Sequence, residues 1–449
     1  TTTAGAVIAN GTVDLVGGTL TASSIAVASG GDLLGYGTVT SAIANSGSVI
    51  VNGGQLFLKG GVTGTGALVD AKGDIYLYGT DSAGAVTVNV GIQLYGAALT
   101  ATSVTVASGG LLFGYGTVTS VVSSSGEIDA TGGTLEIVGA VSGAGTLYAS
   151  GSSTLELAGT TTAGTVTANG TLQLAAITLT ATSVTVGVGD HLIGSGTVAS
   201  SVANSGTIES NTSLLDVTGA VTGTGTLKID VGQTLEVGST VASTQTAVFA
   251  STTGTLSLDE PLNFAGSITN FTGSDQIYLG GETITGFGGY NTATHVLTVL
   301  GTGNATIAQL TFNGSYTLGN FSVSNNGLYI LDPPVTAAMT GGSSTPTFIN
   351  AAAGNQVIAM PVAGAGVDDI SGFSLTNGDV LDFTAALKGA AWHGDLTQVG
   401  NFVTTVANAS DTDLYLDPTG HGHGSMVAAL DGVNTTVASL LTHNAIRVT

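Results

Sequence analysis

The sequence predicts an all-β chain: a parallel β-helix, or β-solenoid, with a smaller C-terminal β domain. Three observations predict it. Val, Ile, Leu and Ala make up most of the 43% hydrophobic content, against a background of Thr, Ser and 71 Gly in 449 residues. Branched side chains fit a pleated surface, whereas Gly, Ser and Thr are poor helix formers. The chain also repeats itself about every 80 residues, and each repeat divides into strand-and-turn units of roughly 20 residues, the length of one coil of a parallel β-helix.

The long repeat is read from several phrases in register. Leu20-Thr21-Ala22-Ser23-Ser24-Ile25-Ala26-Val27 returns as Leu99-Thr100-Ala101-Thr102-Ser103-Val104-Thr105-Val106 and again from Leu179 to Val186. A Gly-x-Gly-Thr-Val phrase starts at Gly35, Gly114 and Gly194, and Ser46-Gly47, Ser125-Gly126 and Ser205-Gly206 keep the same spacing. The short units include Gly133-Thr134-Leu135-Glu136-Ile137 and Ser153-Thr154-Leu155-Glu156-Leu157. Their apolar and polar residues alternate as in a strand with one buried face, so Leu135, Ile137, Leu155 and Leu157 are expected to point inward. One coil cannot bury its inward side chains alone, so coils stack. Asn52-Gly53 and Asn169-Gly170 are expected to supply corners with positive φ. A right-handed coil is expected from the crossover rule for parallel strands. An array of Greek-key sandwiches would also repeat at this length, but would not need self-similarity within a quarter of each repeat.

On this reading residues 1–260 form the solenoid and residues 261–333 close it. Residues 334–347 are a linker running through Gly341-Gly342-Ser343-Ser344-Thr345-Pro346, and residues 348–449 form the C-terminal β domain. Asp275, in the closing module, is read as an Asp turning a tight loop, with cation binding as the alternative.

The phrases VASGGLLFGYGTVTS and GAVSGAGTLYASGSSTLELAG resemble the passenger repeats of autotransporter-like and haemagglutinin-like bacterial surface proteins. The C-terminal succession from Asp368-Asp369-Ile370-Ser371-Gly372-Phe373, through Asn377-Gly378-Asp379-Val380-Leu381-Asp382-Phe383, to Leu414-Tyr415-Leu416-Asp417 resembles the target region of type I secretion substrates. These resemblances imply export and a location outside the cell or on its surface. The Gly-Gly-x-Gly-x-Asp calcium nonapeptide that often precedes such a region does not occur in the chain.

Five Lys and Arg against 28 Asp and Glu give a formal charge of −23. That balance offers no basic patch for nucleic acid or for an anionic membrane, and it attracts divalent cations. There is no Cys, hence no disulfide or thiolate metal site. No apolar run is long enough to insert in a bilayer, and no signal peptide is seen. The chain starts at Thr1, already inside the β pattern, and is expected to be a processed or truncated product.

The candidate chemistry is sparse. Asp368, Asp369, Asp379, Asp382, Asp411, Asp413 and Asp417 are a possible calcium set, since alternate Asp in Gly-rich loops present hard oxygens; the competing reading is turn-capping. His421-Gly422-His423 lacks an evident third ligand for a transition metal. A polysaccharide-degrading β-helix needs Asp, Lys and Arg clustered on adjacent coils, but the solenoid has only Lys59, Lys72 and Lys228 and no Arg. Glu127, Asp129, Glu136, Glu156, Glu209 and Glu236 are read as outward, solubilising charges. Catalysis is therefore not expected. The leading expectation is a structural extracellular protein that assembles head to tail with itself into a filament, surface layer or biofilm matrix. The first coil favours it, because residues 1–16 contain neither Pro nor Lys to protect its edge. The alternative is an adhesin with the solenoid as a stalk or as a face for cell-surface polysaccharide. Tyr36, Tyr76, Tyr78, Tyr95 and Tyr115 are scattered in the sequence, and the equivalent repeat positions of Tyr36 and Tyr115 point to packing.

Overall fold

The unit of construction is one coil laid in parallel on the next. Strand Thr12–Val27 pairs with Asp32–Val39 and Ile43–Asn45, setting Val13 beside Leu33 and Ile25 beside Ile43. Asp32–Val39 pairs onward with Ser48–Leu58, and that strand with Ala67–Leu77. The parallel pattern continues to Thr234–Val237. Many hydrogen bonds between coils accordingly join residues 19 or 20 apart, as from Ala22 N–H to Ser41 Oγ and from Thr63 Oγ1 to the Ile43 carbonyl. The protein is thus nearly all β, a β-solenoid with a smaller sheet domain near the C-terminus. This computed structural model describes every residue except 252, 325–326, 332–338, 341–347, 352–355, 376–377, 423 and 449.

The chain divides into two compact units, Thr1–Ala247 with Asn263–Gly266, and Val248–Leu262 with Ser267–Thr449. In the first, the alternation seen in the sequence becomes columns of aliphatic side chains. Ile75, Ile92, Leu112, Ile128 and Leu147 stand one above another, each at most 1% exposed. Leu135, Ile137, Leu155 and Leu157 point inward as expected. Full burial of each such side chain is worth about 1.5–3 kcal/mol, gained only when a neighbouring coil covers it.

Stacking imposes a second demand, close approach of backbones. The Gly-x-Gly phrases lie where paired strands shift register, and Gly35, Gly114 and Gly194 have φ of +120°, +110° and +117°. A Cβ at those positions would fall 2.0–2.1 Å from the carbonyl oxygens of Leu15, Leu94 and Leu174. The phrase therefore recurs because no side chain fits there. Another corner is polar inside. Buried Asn45 donates from Nδ2 to the Ala67 carbonyl (2.9 Å) and accepts the Gly47 N–H at Oδ1 (3.1 Å), and Asn204 repeats both bonds with Thr226 and Gly206. The expected positive-φ corner is found at Gly53 (+89°) but not at Gly170. Gly170 is required instead by proximity, since a Cβ would lie 2.5 Å from the Gly151 carbonyl oxygen.

The second unit begins with parallel strands and then changes topology. Thr255–Leu258 pairs in parallel with Gln276–Tyr278, which on its other side meets Tyr329–Leu331 antiparallel. Gly286–Asn291, Val296–Leu300 and Thr306–Asn313 form an antiparallel meander that returns to pair with Ser267–Thr269. The C-terminal domain has two sheets. One carries Met339–Thr340, Val357–Ala359, Val380–Asp382 and Ile446–Arg447; the other carries Phe348–Asn350, Asp368–Ser371, Ser425–Asp431, Asp411–Leu416 and Val403–Asn408. Ile349, Ile370, Leu381, Phe383, Leu414 and Leu430 are among the residues of its core. The linker expected over 334–347 lies outside the described residues except at Met339–Thr340, which form a strand of this domain rather than linker. Among the described residues no helix is long and apolar enough to cross a membrane.

Two alanine substitutions separate the demands on glycine. Gly109→Ala, at φ +84° with open space around it, should cost about 1–2 kcal/mol for the left-handed backbone alone. Gly114→Ala also meets the Leu94 carbonyl and should exceed about 3 kcal/mol. Urea denaturation followed by circular dichroism checks the order, and equal midpoints would refute the close-approach account.

Candidate functional site

Because each coil repeats the last, the chemistry of the solenoid lies in columns on its outer faces. One outer column runs Thr38, Phe57, Tyr76 in the first repeat, Thr117, Glu136, Glu156 in the second and Thr197, Asp216, Glu236 in the third. In the first repeat this column carries two rings, Phe57 and Tyr76, and further rings stand beside it. Phe57 and Tyr76 stack at 4.5 Å between ring centroids, Tyr78 and Tyr95 at 4.9 Å, and Tyr95 meets Tyr115 edge-on at 6.2 Å. Gln55 Nε2 donates to the Tyr76 hydroxyl at 2.7 Å, and the Lys59 ammonium lies 5.7 Å from the Tyr78 ring centre. Burial, followed by the charge of Asp74, raises the Tyr76 hydroxyl above its ordinary pKa. Tyr76, Tyr78, Tyr95 and Tyr115, scattered in the sequence, are therefore neighbours, and only the coil register shows it.

In the later repeats the outer columns are acidic. Burial and then Glu136 raise the Glu156 carboxyl, and burial and then Asp129 raise Glu127. Lys228 sits between Glu209 (2.7 Å) and Asp230 (3.1 Å), and its bond to Glu209 is the main cause of its raised pKa. The outward acids named from the sequence thus alternate with buried aliphatic residues.

Three carboxylates point inward instead. Asp70 accepts backbone N–H groups of Asn89 and Val90 from the next coil. Asp81, 1% exposed, accepts the Val62 N–H at 2.8 Å through Oδ1, while its Oδ2 is buried with no hydrogen-bond partner. Burial pushes its carboxyl up to about 6. Asp275, fully buried, accepts the Thr272 and Gly254 N–H groups and is pushed by burial to about 7. It fastens a turn, the leading expectation for it.

The C-terminal aspartates are dispersed among bonds of their own domain. Asp379 accepts N–H groups of Gln356 and Ser374, and Asp417 accepts those of Thr419 and His421. Asp382 pairs with Arg447 at 3.4 Å, and Asp413 accepts from Asn408 Nδ2. Asp368 is buried. Parallel pairing of Asp368–Ser371 with Ser425–Asp431 brings Asp369 close to Asp431, and antiparallel pairing of Asp411–Leu416 with the same strand brings Asp411 there; Asp431 is absent from the set named from the sequence. Partial loss of hydration and then Asp369 hold Asp431 above the ordinary carboxylate range, while the Gly432 N–H and the Ser410 hydroxyl hold Asp411 below it. Among the described residues no group of three or more His, Asp or Glu side chains converges as on a metal ion. His421 Nδ1 lies 3.0 Å from Thr419 Oγ1, and His423 is outside the described residues.

No known family matches the chain, and neither a curated protein nor a solved structure does so.

The buried carboxyls set a pH dependence. A carboxyl whose pKa in the fold lies above its unfolded value binds its proton more tightly when folded. Its stabilising contribution is complete below the unfolded pKa and is lost as pH rises through the folded one. For Asp81 that window runs from 3.8 to about 6, and for Asp275 from 3.8 to about 7. The thermal midpoint should rise as pH falls from neutral towards 4, and Asp81→Asn should flatten part of the slope. A midpoint that drops over this range would overturn the assignment.

Proposed function

We propose that the chain is a non-catalytic structural protein of the bacterial cell exterior, a solenoid scaffold that associates with copies of itself. The observation that carries this reading is the uniformity of the stack: interior columns are aliphatic, and inward polar groups such as Asn45, Asp70 and Asn204 bond to the backbone of another coil. Such a chain gives rigidity and a repeating surface more readily than a single concave reaction site. The stacking of like coils supports self-association. Strand Thr2–Ala9 pairs with Thr12–Val27, and Val7 shares an inward column with Ile25, Ile43 and Val62. A coil of a second copy could stack on such a column as the coils of one chain do. A head-to-tail contact of this kind gives a fibre unless its rotation closes a ring. Calcium is proposed as a modulator of assembly through the acidic surface as a whole, not through a converged set of carboxylates. The second reading, an adhesin displaying the solenoid, is favoured by the aromatic column of the first repeat.

Two experiments test this proposal. Sedimentation velocity and negative-stain microscopy, with and without calcium, should show concentration-dependent assemblies. Val7→Lys should shift them to monomer with unchanged circular dichroism. A wild type that stays monomeric at high concentration in both conditions would favour the adhesin reading. Removing residues 348–449 should leave the protein inside the cell, and normal secretion of that truncation would refute an export role for the segment.

A further inference from the structure

The first repeat and the start of the second carry rings where the same fold elsewhere carries carboxylates or a hydroxyl. Phe57 and Tyr76 occupy the positions of Glu136 and Glu156, and of Asp216 and Glu236. Tyr36 and Tyr115 occupy the position of Ser195. Coils of this protein therefore close without these rings, so the fold itself does not require them. Tyr36, Tyr78 and Tyr95 remain 38%, 37% and 37% exposed, the aromatic members of a set of exposed apolar residues that is otherwise aliphatic, Val16, Val121 and Val188 among them.

We propose that this stripe binds a neutral polysaccharide. The apolar C–H face of a pyranose packs on an aromatic ring, while its equatorial hydroxyls take bonds from amides and hydroxyls. Both elements stand together around Tyr36, in an open depression of about 530 Å³ whose lining includes Thr19, Thr38, Gln55 and Phe57. Glycine on the coils to either side leaves room for the ring: a Cβ at Gly17 would lie 3.3 Å from it and one at Gly54 3.0 Å. Tyr115 has the same setting, with a Cβ at either Gly96 or Gly133 falling 3.2 Å from its ring. Between these two rings Phe57, Tyr76, Tyr78 and Tyr95 continue the stripe from coil to coil, a spacing of about 4.8 Å that suits successive sugars of an extended chain. Charge selects among polysaccharides. A molecule of net charge −23 repels uronic-acid polymers, and Thr, Gln and Tyr groups are suited to uncharged hydroxyls. The proposal does not depend on self-association.

Affinity electrophoresis of the full chain in gels containing laminarin, hydroxyethylcellulose or dextran, with alginate as the acidic control, tests it. At least one neutral polymer should retard the protein and alginate should not. Tyr36→Ser with Tyr115→Ser, which copies the third repeat, and Phe57→Glu with Tyr76→Glu, which copies the second, should each weaken retardation at least tenfold. Near-ultraviolet circular dichroism of the unsubstituted chain gives a second reading, since the retarding polymer should change the tyrosine bands. No retardation by any neutral polymer, equal retardation of folded variants, or retardation by alginate alone would overturn the proposal. Sedimentation of the same variants should match wild type, which separates this result from the fate of the scaffold reading.

Discussion

Everything in the first unit depends on the parallel ladder that holds each residue of one coil over its counterpart in the next. A parallel ladder tolerates little slip, because a shift of one residue would turn every inward side chain outward. Register is therefore set jointly by the aliphatic columns and by points where only particular residues fit. Gly35, Gly114 and Gly194 are such points, since a neighbouring carbonyl already occupies the place of a Cβ. Asn45 and Asn204 are others, each binding one carbonyl and one N–H at the same corner. The glycines recur in every repeat, the trace of a geometric condition met once in every four coils or so, while Ser124 stands at the Asn position of the second repeat.

The same condition divides the side chains into two populations. Inward positions answer to packing and hydrogen-bond satisfaction, so a polar group there either binds backbone or bears the cost of burial. Asp70 does the first, and the unpartnered oxygen of Asp81 illustrates the second. Outward positions answer to neither. At one of them Phe57, Glu136 and Asp216 succeed one another in successive repeats with the coil unchanged. Variation confined to the outer face of an otherwise uniform stack is where recognition can be written without disturbing the fold.

The C-terminal domain follows a different rule. Its two sheets combine parallel and antiparallel pairing around an aliphatic and aromatic core, and its aspartates are engaged locally. Asp417 holds the turn through Thr419 and His421, and Asp411 binds the Gly432 N–H across a strand pair. A carboxylate committed to a backbone N–H is less free for a cation, which separates these residues from the half-buried Asp369 and the exposed Asp431.

Much of the fold was legible in the sequence, because a period of two within strands and a period of one coil between them are both local patterns in a one-dimensional string. The inward placement of Leu135, Ile137, Leu155 and Leu157, and the outward placement of Glu136 and Glu156, follow from alternation alone. The role of Gly170 did not follow, because a turn dipeptide and a close backbone contact call for the same residue. Nor did the strand at Met339–Thr340, whose partner Ile358 lies beyond a Gly/Ser-rich stretch. The candidate surfaces were least legible. Tyr76 and Tyr95 are 19 residues apart in the sequence, yet their ring centroids are 6.2 Å apart, and Asp369 meets Asp431 only through a parallel pairing of distant strands. By itself the sequence determined the all-β class, the coil length and the buried face, since these depend on the order of apolar and polar residues. Tertiary structure alone decided which outer side chains became neighbours, because that depends on the register between coils, fixed by how whole strands stack.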